Sequence, residues 1–159
     1  MTTNFVPLSG GWDSAYCLVQ AIRAVGAKNV TAIFFEYGQS YLPMERACAP
    51  RIAGVLGVKF YIIKLDSMAC VDGIFDDRNG KIIRRLVAEG AAHIWFGSRC
   101  PLRCWDKYGD SNAQWARVMA KELGVRIETP ATLLPKFWIK HIVSRAGITD
   151  DMIYSTEAA

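Results

Sequence analysis

A regular alternation of glycines and short apolar runs is the feature that most constrains the fold of this chain. Four glycines each end a stretch of helical character, where a left-handed C-terminal cap is expected. After each glycine comes a run rich in β-branched and aromatic residues: Gly26 before "NVTAIFFE", Gly57 before "VKFYIIKL", Gly90 before "AAHIWFG" and Gly124 before "VRIETP". These runs are mostly apolar on both faces, which favours parallel strands covered by helices.

Helical periodicity fills the intervals between the predicted strands. Apolar residues share one face in three segments, as Ala15/Leu18/Val19/Ile22, Trp115/Val118/Met119/Leu123 and Ile139/Ile142/Val143/Ala146. Residues 43–56 form a further candidate, in which Pro43 suits a first turn and Pro50 is expected to kink or split the helix. With "NFVPL" as the first strand, the order predicts a doubly wound α/β fold: a five-stranded parallel sheet with helices on both faces.

Length and composition place the chain in a broad class. Its 159 residues suffice for a single domain, taken as residues 1–159. A hydrophobic fraction of 52% with 21% charged residues is typical of a soluble globular chain, and the apolar runs are too short to span a bilayer. The N-terminus lacks the pattern of a signal peptide, and five cysteines argue against a disulfide framework. We therefore expect a cytoplasmic protein that does not associate with membranes.

The stretch "SGGWDS" follows the first predicted strand and has the character of an anion-binding turn. Gly10 and Gly11 let the backbone approach an anion, and the N–H groups of the following helix would point at it. Ser9 and Ser14 offer hydroxyl donors, while Asp13 can hold Mg²⁺ through water or cap the helix. The lysine of a Walker loop is absent, which disfavours transfer of a terminal phosphoryl group. Taken alone, the stretch could equally be an ordinary glycine-rich turn.

Two longer segments interrupt the repeat. Residues 66–78 lie between the third strand and the third helix, and residues 98–112 follow the fourth strand. Connections of this length are often functional. In an open α/β sheet, ligands bind beyond the carboxyl ends of the strands, where the strand order reverses. We therefore expect residues 98–112 to form one wall of a pocket beside "SGGWDS".

Several short segments occur in an order that is typical of one group of enzymes. They are "SGGWDS" after the first strand, "FEYGQS" after the second, "DDRNGKII" before the third helix, "IWFG" in the fourth strand, "YGDSN" beyond it, and "IETP" with Lys136 at the fifth strand and the next helix. Together they resemble the PP-loop ATP pyrophosphatases, and most closely the 7-cyano-7-deazaguanine synthase family of the queuosine pathway. The resemblance implies an adenine nucleotide alpha hydrolase-like fold.

The resemblance also implies a chemistry. That family cleaves ATP between its α and β phosphates, so ATP and Mg²⁺ are the implied cofactors, and the loop holds a departing pyrophosphate. The implied reaction adenylates 7-carboxy-7-deazaguanine and uses ammonia to form the amide and then the nitrile. The residues implied as catalytic are Ser9, Asp13 and Ser14, and those implied to bind the nucleotide are Ser9, Gly10, Gly11, Asp13, Ser14, Phe35 and Gly97.

Substrate contacts are expected from the strand ends and the long segments. Arginines can neutralise a carboxylate, aromatic rings can stack on a purine-like base, and a carboxylate can accept hydrogen bonds from the N–H groups of the base. The candidates are Tyr37, Gln39, Arg78, Arg99, Trp105, Tyr108 and Asp110, followed by Lys81, Arg103, Asp106 and Lys107. Taken singly, each charged residue could simply be exposed, and Gln39 could equally form a turn hydrogen bond.

Other functions stay open at this point. Another adenylating enzyme of the superfamily, of the tRNA-thiolation or sulfonucleotide type, would want a thiol, and Cys100 and Cys104 could supply one. A non-catalytic nucleotide-binding module is a third hypothesis, which the intact loop with its Asp13 disfavours.

No zinc is expected. The resembled family has a C-terminal cluster of four cysteines that binds structural zinc, whereas this chain has "MIYSTEAA" in that region. Cys70, Cys100 and Cys104 are too few for a tetrahedral site, and we interpret His93 and His141 as structural because no ligand pattern surrounds them. We expect a homodimer that acts on a small-molecule deazapurine carboxylate and ammonia, without direct binding to nucleic acid.

Overall fold

The computed structural model describes residues 3–66, 68, 70–71, 74–75, 77–98 and 113–155. Its strands are β1 (Asn4–Pro7), β2 (Val30–Glu36), β3 (Lys59–Lys64), β4 (Cys70–Val71), β5 (Ile74–Phe75), β6 (His93–Trp95) and β7 (Arg126–Glu128). Five of them form a parallel sheet in the order β3-β2-β1-β6-β7, which confirms the predicted doubly wound sheet. Strand order runs outward from β1 in one direction and from β6 in the other. That residues 1–159 form one domain stays a prediction.

Helices lie on both faces of the sheet, as predicted. They are α1 (Trp12–Val25), α2 (Leu42–Leu56), α3 (Arg78–Ala88), α4 (Ala113–Leu123) and α5 (Lys136–Arg145). One core joins α1, α2 and α5 to Val6 and Leu8, and a second joins α3 and α4 to Phe5 and Phe96. Phe5 and Val6 belong to different cores because successive residues of a strand point to opposite faces. In the described ranges, no helix has both the length and the apolar character needed to cross a membrane.

The glycines that follow the helices have positive φ angles; Gly57 has the predicted left-handed conformation, whereas Gly26, with a ψ of 146°, does not. Gly26, Gly57, Gly90 and Gly124 follow α1 to α4 and all have positive φ angles, between 63° and 95°. Residues with a Cβ atom rarely adopt this conformation. The predicted positions of these helix ends are therefore confirmed.

Two predictions of burial were wrong. In β3, Tyr61 is 59% exposed and Ile62 is 43% exposed, although the strand was predicted to be covered on both faces. β3 is an end strand of the described sheet, where helices provide less cover. In α4, Val118 is half exposed while Met119 is buried, since neighbouring residues of a helix point about 100° apart.

The second proline of α2 does not split the helix. α2 is continuous from Leu42 to Leu56, with Pro43 in its first turn and Pro50 inside it. A proline removes one N–H donor from the helix. Ala49 and Ile52 lie on either side of Pro50 and are fully buried in the core beneath α2. Their packing holds the helix against the sheet and offsets the lost hydrogen bond.

The insert after β3 contains a short hairpin that was not predicted. β4 and β5 pair in antiparallel fashion, with Cys70 opposite Phe75. The Phe75 ring contacts the Tyr37 ring edge to face, with 5.0 Å between their centroids. The hairpin therefore packs against the chain just beyond β2, next to the edge of the sheet where ligands are expected.

Candidate functional site

A cavity of about 320 Å³ opens at the carboxyl ends of β1 and β6, where the strand order reverses. Ligands bind at this edge in open α/β sheets. Its walls come from the loop after β1, the end of β2, the start of α3 and the chain after β6, and they include Ser9, Phe35, Tyr37, Gln39, Arg78 and Gly97. All six are residues that the sequence analysis assigned to the site.

Hydrogen bonds fix the loop between β1 and α1. The hydroxyl oxygens of Ser9 and Ser14 lie 3.1 Å apart, and the Ser9 backbone N–H donates to the Ser14 hydroxyl, also at 3.1 Å. The Ser14 hydroxyl donates to the Gly11 carbonyl at 3.2 Å, and the Gly11 N–H donates to the Ser9 hydroxyl at 3.4 Å. These contacts hold the start of α1 in shape, so its N–H groups are preorganised for an anion.

Two glycines let neighbouring elements approach this loop closely. A Cβ atom on Gly10, whose φ is +92°, would lie 3.1 Å from both the Cys48 Cβ and the Glu45 carbonyl oxygen. A Cβ atom on Gly97 would lie 2.9 Å from the Ser14 Cα and 3.0 Å from the Ser14 nitrogen. The loop is therefore backed by α2, and the chain after β6 packs directly against the first turn of α1.

Gly97→Ala is expected to destabilise the fold at the site. The new methyl group would meet backbone atoms of α1, which cannot rotate away as a side chain can. We expect the free energy of unfolding, measured by urea titration, to fall by about 1–3 kcal/mol. Gly54→Ala is the matched control, since Gly54 lies inside α2 with nothing within 4 Å of an added Cβ. Unchanged stability of the Gly97 variant would contradict the close packing.

A lysine from a distant part of the chain lies beside the loop. The Lys136 Nζ is 3.0 Å from an Asp13 carboxylate oxygen, and both side chains are about three-quarters buried. Asp13 is in the first turn of α1, and Lys136 is the first residue of α5. A lysine at a helix N-terminus opposes the helix dipole, so a local partner is needed to stabilise it there. The cation that "SGGWDS" lacks in sequence is therefore provided by α5.

A second cavity, also of about 320 Å³, adjoins the first at the loop. Both are lined by Ser9, Asp13, Ser14, Glu45, Arg78 and Gly97. The second cavity extends toward Lys136, Tyr154 and Ser155. An elongated ligand can therefore occupy both, with its anionic part beside the loop and Lys136.

Gln39 organises a polar cluster at the far side of the first cavity. Its side-chain oxygen accepts a hydrogen bond from the Tyr37 N–H at 2.9 Å. Its side-chain nitrogen donates to the Phe35 carbonyl at 2.8 Å and to Glu45 Oε2 at 3.2 Å. The turn hydrogen bond that the sequence allowed is thus present, and a contact between Gln39 and substrate stays a prediction.

Burial changes the acidity of two groups in this cluster. It raises the pKa of the Tyr37 hydroxyl, with the charge of Arg78 acting in opposition. It also raises the pKa of the Glu45 carboxyl, against the smaller effects of the Gln39 hydrogen bond and the Arg78 charge. Tyr37 is therefore a neutral hydrogen-bonding group, and Glu45 is more basic than a glutamate in water.

The segment after α5 covers the loop from the other side. The Tyr154 N–H donates to the Gly10 carbonyl at 2.9 Å, and the Tyr154 ring centroid lies 5.4 Å from that of Tyr41. A 3₁₀ turn at Asp150–Met152 leads into this segment, and Arg51 of α2 forms an ion pair of 3.1 Å with Asp151. The loop is therefore held between α2 and the segment that ends the described chain.

The structure brings together most of the predicted site residues. The first cavity is lined by Ser9, Asp13, Ser14, Phe35, Tyr37, Gln39, Arg78 and Gly97, the second also by Gly11, and Gly10 contacts α2. Lys81 is exposed on α3. The predictions for Arg99, Cys100, Arg103, Cys104, Trp105, Asp106, Lys107, Tyr108 and Asp110 lie outside the described residues. Among the residues that line the cavities without having been assigned to the site are Glu45, Asn79, Lys136 and Tyr154.

The described residues contain no group of three or more His, Cys, Asp and Glu side chains that could hold a metal ion. Mg²⁺ in nucleotide sites is commonly bound by one or two carboxylates together with substrate phosphates. Asp13, at the loop, fits that arrangement. The expectation that no zinc is bound stays a prediction, because Cys100 and Cys104 lie outside the described chain.

Comparison with known sequences points to one family. The family model described as "Queuosine biosynthesis protein QueC" matches residues 3–94. A 7-cyano-7-deazaguanine synthase from Chromobacterium violaceum is 43% identical to this chain over 68 residues. That match covers 43% of this chain and 29% of the relative, so the chain matches less than a third of the relative's length.

Solved structures share the fold. The U34-tRNA thiolase NcsA from Methanococcus maripaludis, solved with its 4Fe-4S cluster, is 15% identical with a TM-score of 0.62, and the match covers 100% of this chain and 62% of the thiolase. A protein from Methanocaldococcus jannaschii described as a predicted subunit of tRNA methyltransferase is 16% identical with a TM-score of 0.60, covering 91% of this chain and 75% of that protein. At these identities the likeness shows the fold alone, and it agrees with the predicted α/β fold.

Proposed function

Because the chain belongs to the queuosine biosynthesis protein QueC family, we propose that it uses ATP to activate the carboxylate of a 7-deazaguanine. In the proposed reaction ATP is cleaved between its α and β phosphates, and ammonia converts the acyl adenylate to an amide and then to a nitrile. The substrate is 7-carboxy-7-deazaguanine and the product is 7-cyano-7-deazaguanine. The name of the relative from Chromobacterium violaceum supports this choice of product.

One observation carries the proposal. A Ser-Gly-Gly-x-Asp-Ser loop without a lysine lies at the carboxyl end of the central strand β1, and Lys136 lies beside its Asp13. N–H donors and hydroxyl groups at a helix start suit an anion that departs and must be held. Lys136 would neutralise part of the charge that develops on the leaving pyrophosphate. Transfer of a terminal phosphoryl group would instead call for a lysine within the loop.

The proposed chemistry consists of two adenylations. A carboxylate oxygen attacks the α-phosphorus of ATP, the bond from that phosphorus to the bridging oxygen breaks, and pyrophosphate leaves with the electron pair. Ammonia attacks the carbonyl carbon of the acyl adenylate, AMP leaves, and the nitrogen loses a proton to give the amide. The amide oxygen attacks a second ATP in the same way. Loss of AMP and of two protons from the nitrogen then gives the nitrile.

The residues of the chain would act mainly by positioning and by electrostatic stabilisation. Ser9 and the N–H groups at the start of α1 would hold the pyrophosphate, and Asp13 would contribute a carboxylate to Mg²⁺. When bound, Mg²⁺ supplies positive charge to the phosphate oxygens. Arg78 can bind the substrate carboxylate through two parallel hydrogen bonds, and Phe35 and Gly97 would flank the nucleotide.

Thiol chemistry of the tRNA-thiolation or sulfonucleotide type has less support from the described residues. Cys48 packs near the loop, but burial raises the pKa of its thiol. Burial also raises the pKa of the Cys17 thiol, which lies in the core. Both are therefore poor nucleophiles at neutral pH. This alternative would depend on the exposed Cys70 of the β4–β5 hairpin, or on Cys100 or Cys104 outside the described residues.

The proposal is tested by incubating the 159-residue chain with ATP, Mg²⁺, ammonium and 7-carboxy-7-deazaguanine. We expect AMP, pyrophosphate and a product with the mass of the nitrile, and no AMP when the carboxylate is omitted. A parallel reaction that starts from the amide checks the second adenylation. AMP formation that does not depend on the carboxylate substrate would contradict the proposal. Transfer of sulfur to tRNA instead of nitrile formation would also contradict it.

A further inference from the structure

Glu45 lies at the junction of the two cavities and has no part in the steps described above. It belongs to the first turn of α2 and lines both cavities, as Ser9 and Asp13 do. Its backbone oxygen approaches Gly10 so closely that a Cβ there would be 3.1 Å away. Glu45 is therefore seated against the proposed pyrophosphate loop and faces the space where an acyl adenylate would form.

The groups around Glu45 act on its basicity in opposite directions. Gln39 donates a hydrogen bond to it at 3.2 Å, and Arg78 of α3 contributes a positive charge, so both lower its pKa. Burial acts in the other direction and is the larger effect. Among the described residues, its charge also acts on Tyr37, Cys48 and Tyr154, and Asp13 and Lys136 line the second cavity with it.

We propose that Glu45 binds the ammonium ion that the reaction consumes and accepts a proton from it. This inference rests on the proposed function. Ammonium has no lone pair with which to attack a carbonyl carbon, and a carboxylate attracts this cation. Proton transfer turns the carboxylate into a neutral carboxylic acid and ammonium into ammonia. The ammonia lone pair then forms the C–N bond as AMP leaves, and the nitrogen loses its further proton to water. Glu45 later releases the proton that it took from ammonium to solvent.

Glu45→Gln separates this role from a purely structural one. Glutamine has the same length and keeps a side-chain oxygen that can accept the hydrogen bond from Gln39, but it has neither negative charge nor basicity. A residue that only orients Gln39 would tolerate the exchange. A general base would not, since such a group typically contributes about 10²–10⁴-fold to the rate.

The measurement is the rate of amide and nitrile formation as a function of ammonium concentration at neutral pH, with AMP formation followed in parallel. For Glu45→Gln we expect the ammonium-dependent rate to fall on the order of 10²-fold. AMP should still form, because water hydrolyses the acyl adenylate and returns the carboxylate substrate. Glu122→Gln, exposed on α4, is the matched control and should behave as the wild type. Unchanged ammonium dependence in the folded Glu45 variant would overturn this inference and leave the proposed function standing. Absence of substrate-dependent AMP in the wild type would overturn both.

The wild-type pH profile provides a second test that does not depend on how the variant folds. At fixed total ammonium, free ammonia rises roughly tenfold per pH unit below the pKa of ammonium. With Glu45 as the base, the rate of amide formation is lost as pH falls through the raised pKa of Glu45 and is level above it. A rate that follows free ammonia throughout the neutral range would overturn the inference.

Discussion

Replacing Ser9 or Asp13 by alanine is expected to lower the rate of AMP formation about 10²-fold while the chain stays folded. The Ser9 hydroxyl contacts Ser14 and the Gly11 N–H, and the Asp13 carboxylate lies beside Lys136 in the second cavity. Each substitution removes one preorganised group from the place where pyrophosphate is proposed to leave. AMP is measured at saturating ATP and carboxylate substrate, and folding by circular dichroism.

Two further variants make this result specific. Ser144→Ala removes a hydroxyl from the exposed face of α5 and should have no effect. Asp13→Asn keeps the shape of the side chain and an oxygen for Lys136 but removes the charge, so we expect it to lose activity as Asp13→Ala does. Wild-type turnover by both alanine variants would show that the loop does not hold the leaving group.

Lys136→Met is expected to lower the rate of AMP formation by about 10²–10³-fold. The substitution keeps most of the apolar stem of the side chain but removes the positive charge 3.0 Å from Asp13. Charge develops on the bridging oxygen as the α-phosphorus bond breaks, and the variant lacks the lysine's share of the positive charge that stabilises it. Lys136→Arg, which keeps the charge, should retain more activity than Lys136→Met.

Lys121→Met is the control for Lys136, because it removes a lysine from the exposed surface of α4. The double variant Asp13→Ala/Lys136→Met shows whether the pair acts as a unit, since residues that act together give a combined loss well below the product of the single losses. A normal rate constant combined with lower unfolding stability in Lys136→Met would show that the ion pair is structural only.

The parts of the fold that local rules determine could be predicted from the sequence. Glycine caps such as Gly57 follow from the φ angle that a helix end requires, and the interior strand β2 follows from an apolar run buried on both faces. Burial at the periphery could not be predicted in this way. Tyr61 and Val118 have the residue types and spacing of core positions, but their exposure depends on which strand ends the sheet and which helix side faces it.

The candidate site also has a part that the local sequence predicts and a part that depends on how the elements pack. The loop from Ser9 to Ser14 is contiguous, so its anion-binding character is visible in the sequence. Lys136 reaches it from 123 residues away, a proximity that only the strand order creates. Its signal was a lysine at the start of the helix after the last strand. Glu45 lies in the first turn of the helix that follows "YGQ". In the sequence it cannot be told from an exposed charged residue of a helix, because only the packing of α2 against the loop brings it to the site.

Oxygen-18 transfer tests the central claim most directly. The 159-residue chain is supplied with unlabelled ATP, Mg²⁺, ammonium and 7-carboxy-7-deazaguanine that carries oxygen-18 in its carboxylate, and the AMP is analysed by mass spectrometry. If the carboxylate attacks the α-phosphorus, the bridging oxygen stays with AMP when ammonia displaces it, and AMP gains one label. AMP that forms without label would show that water or another group attacks the phosphorus, and would contradict the account.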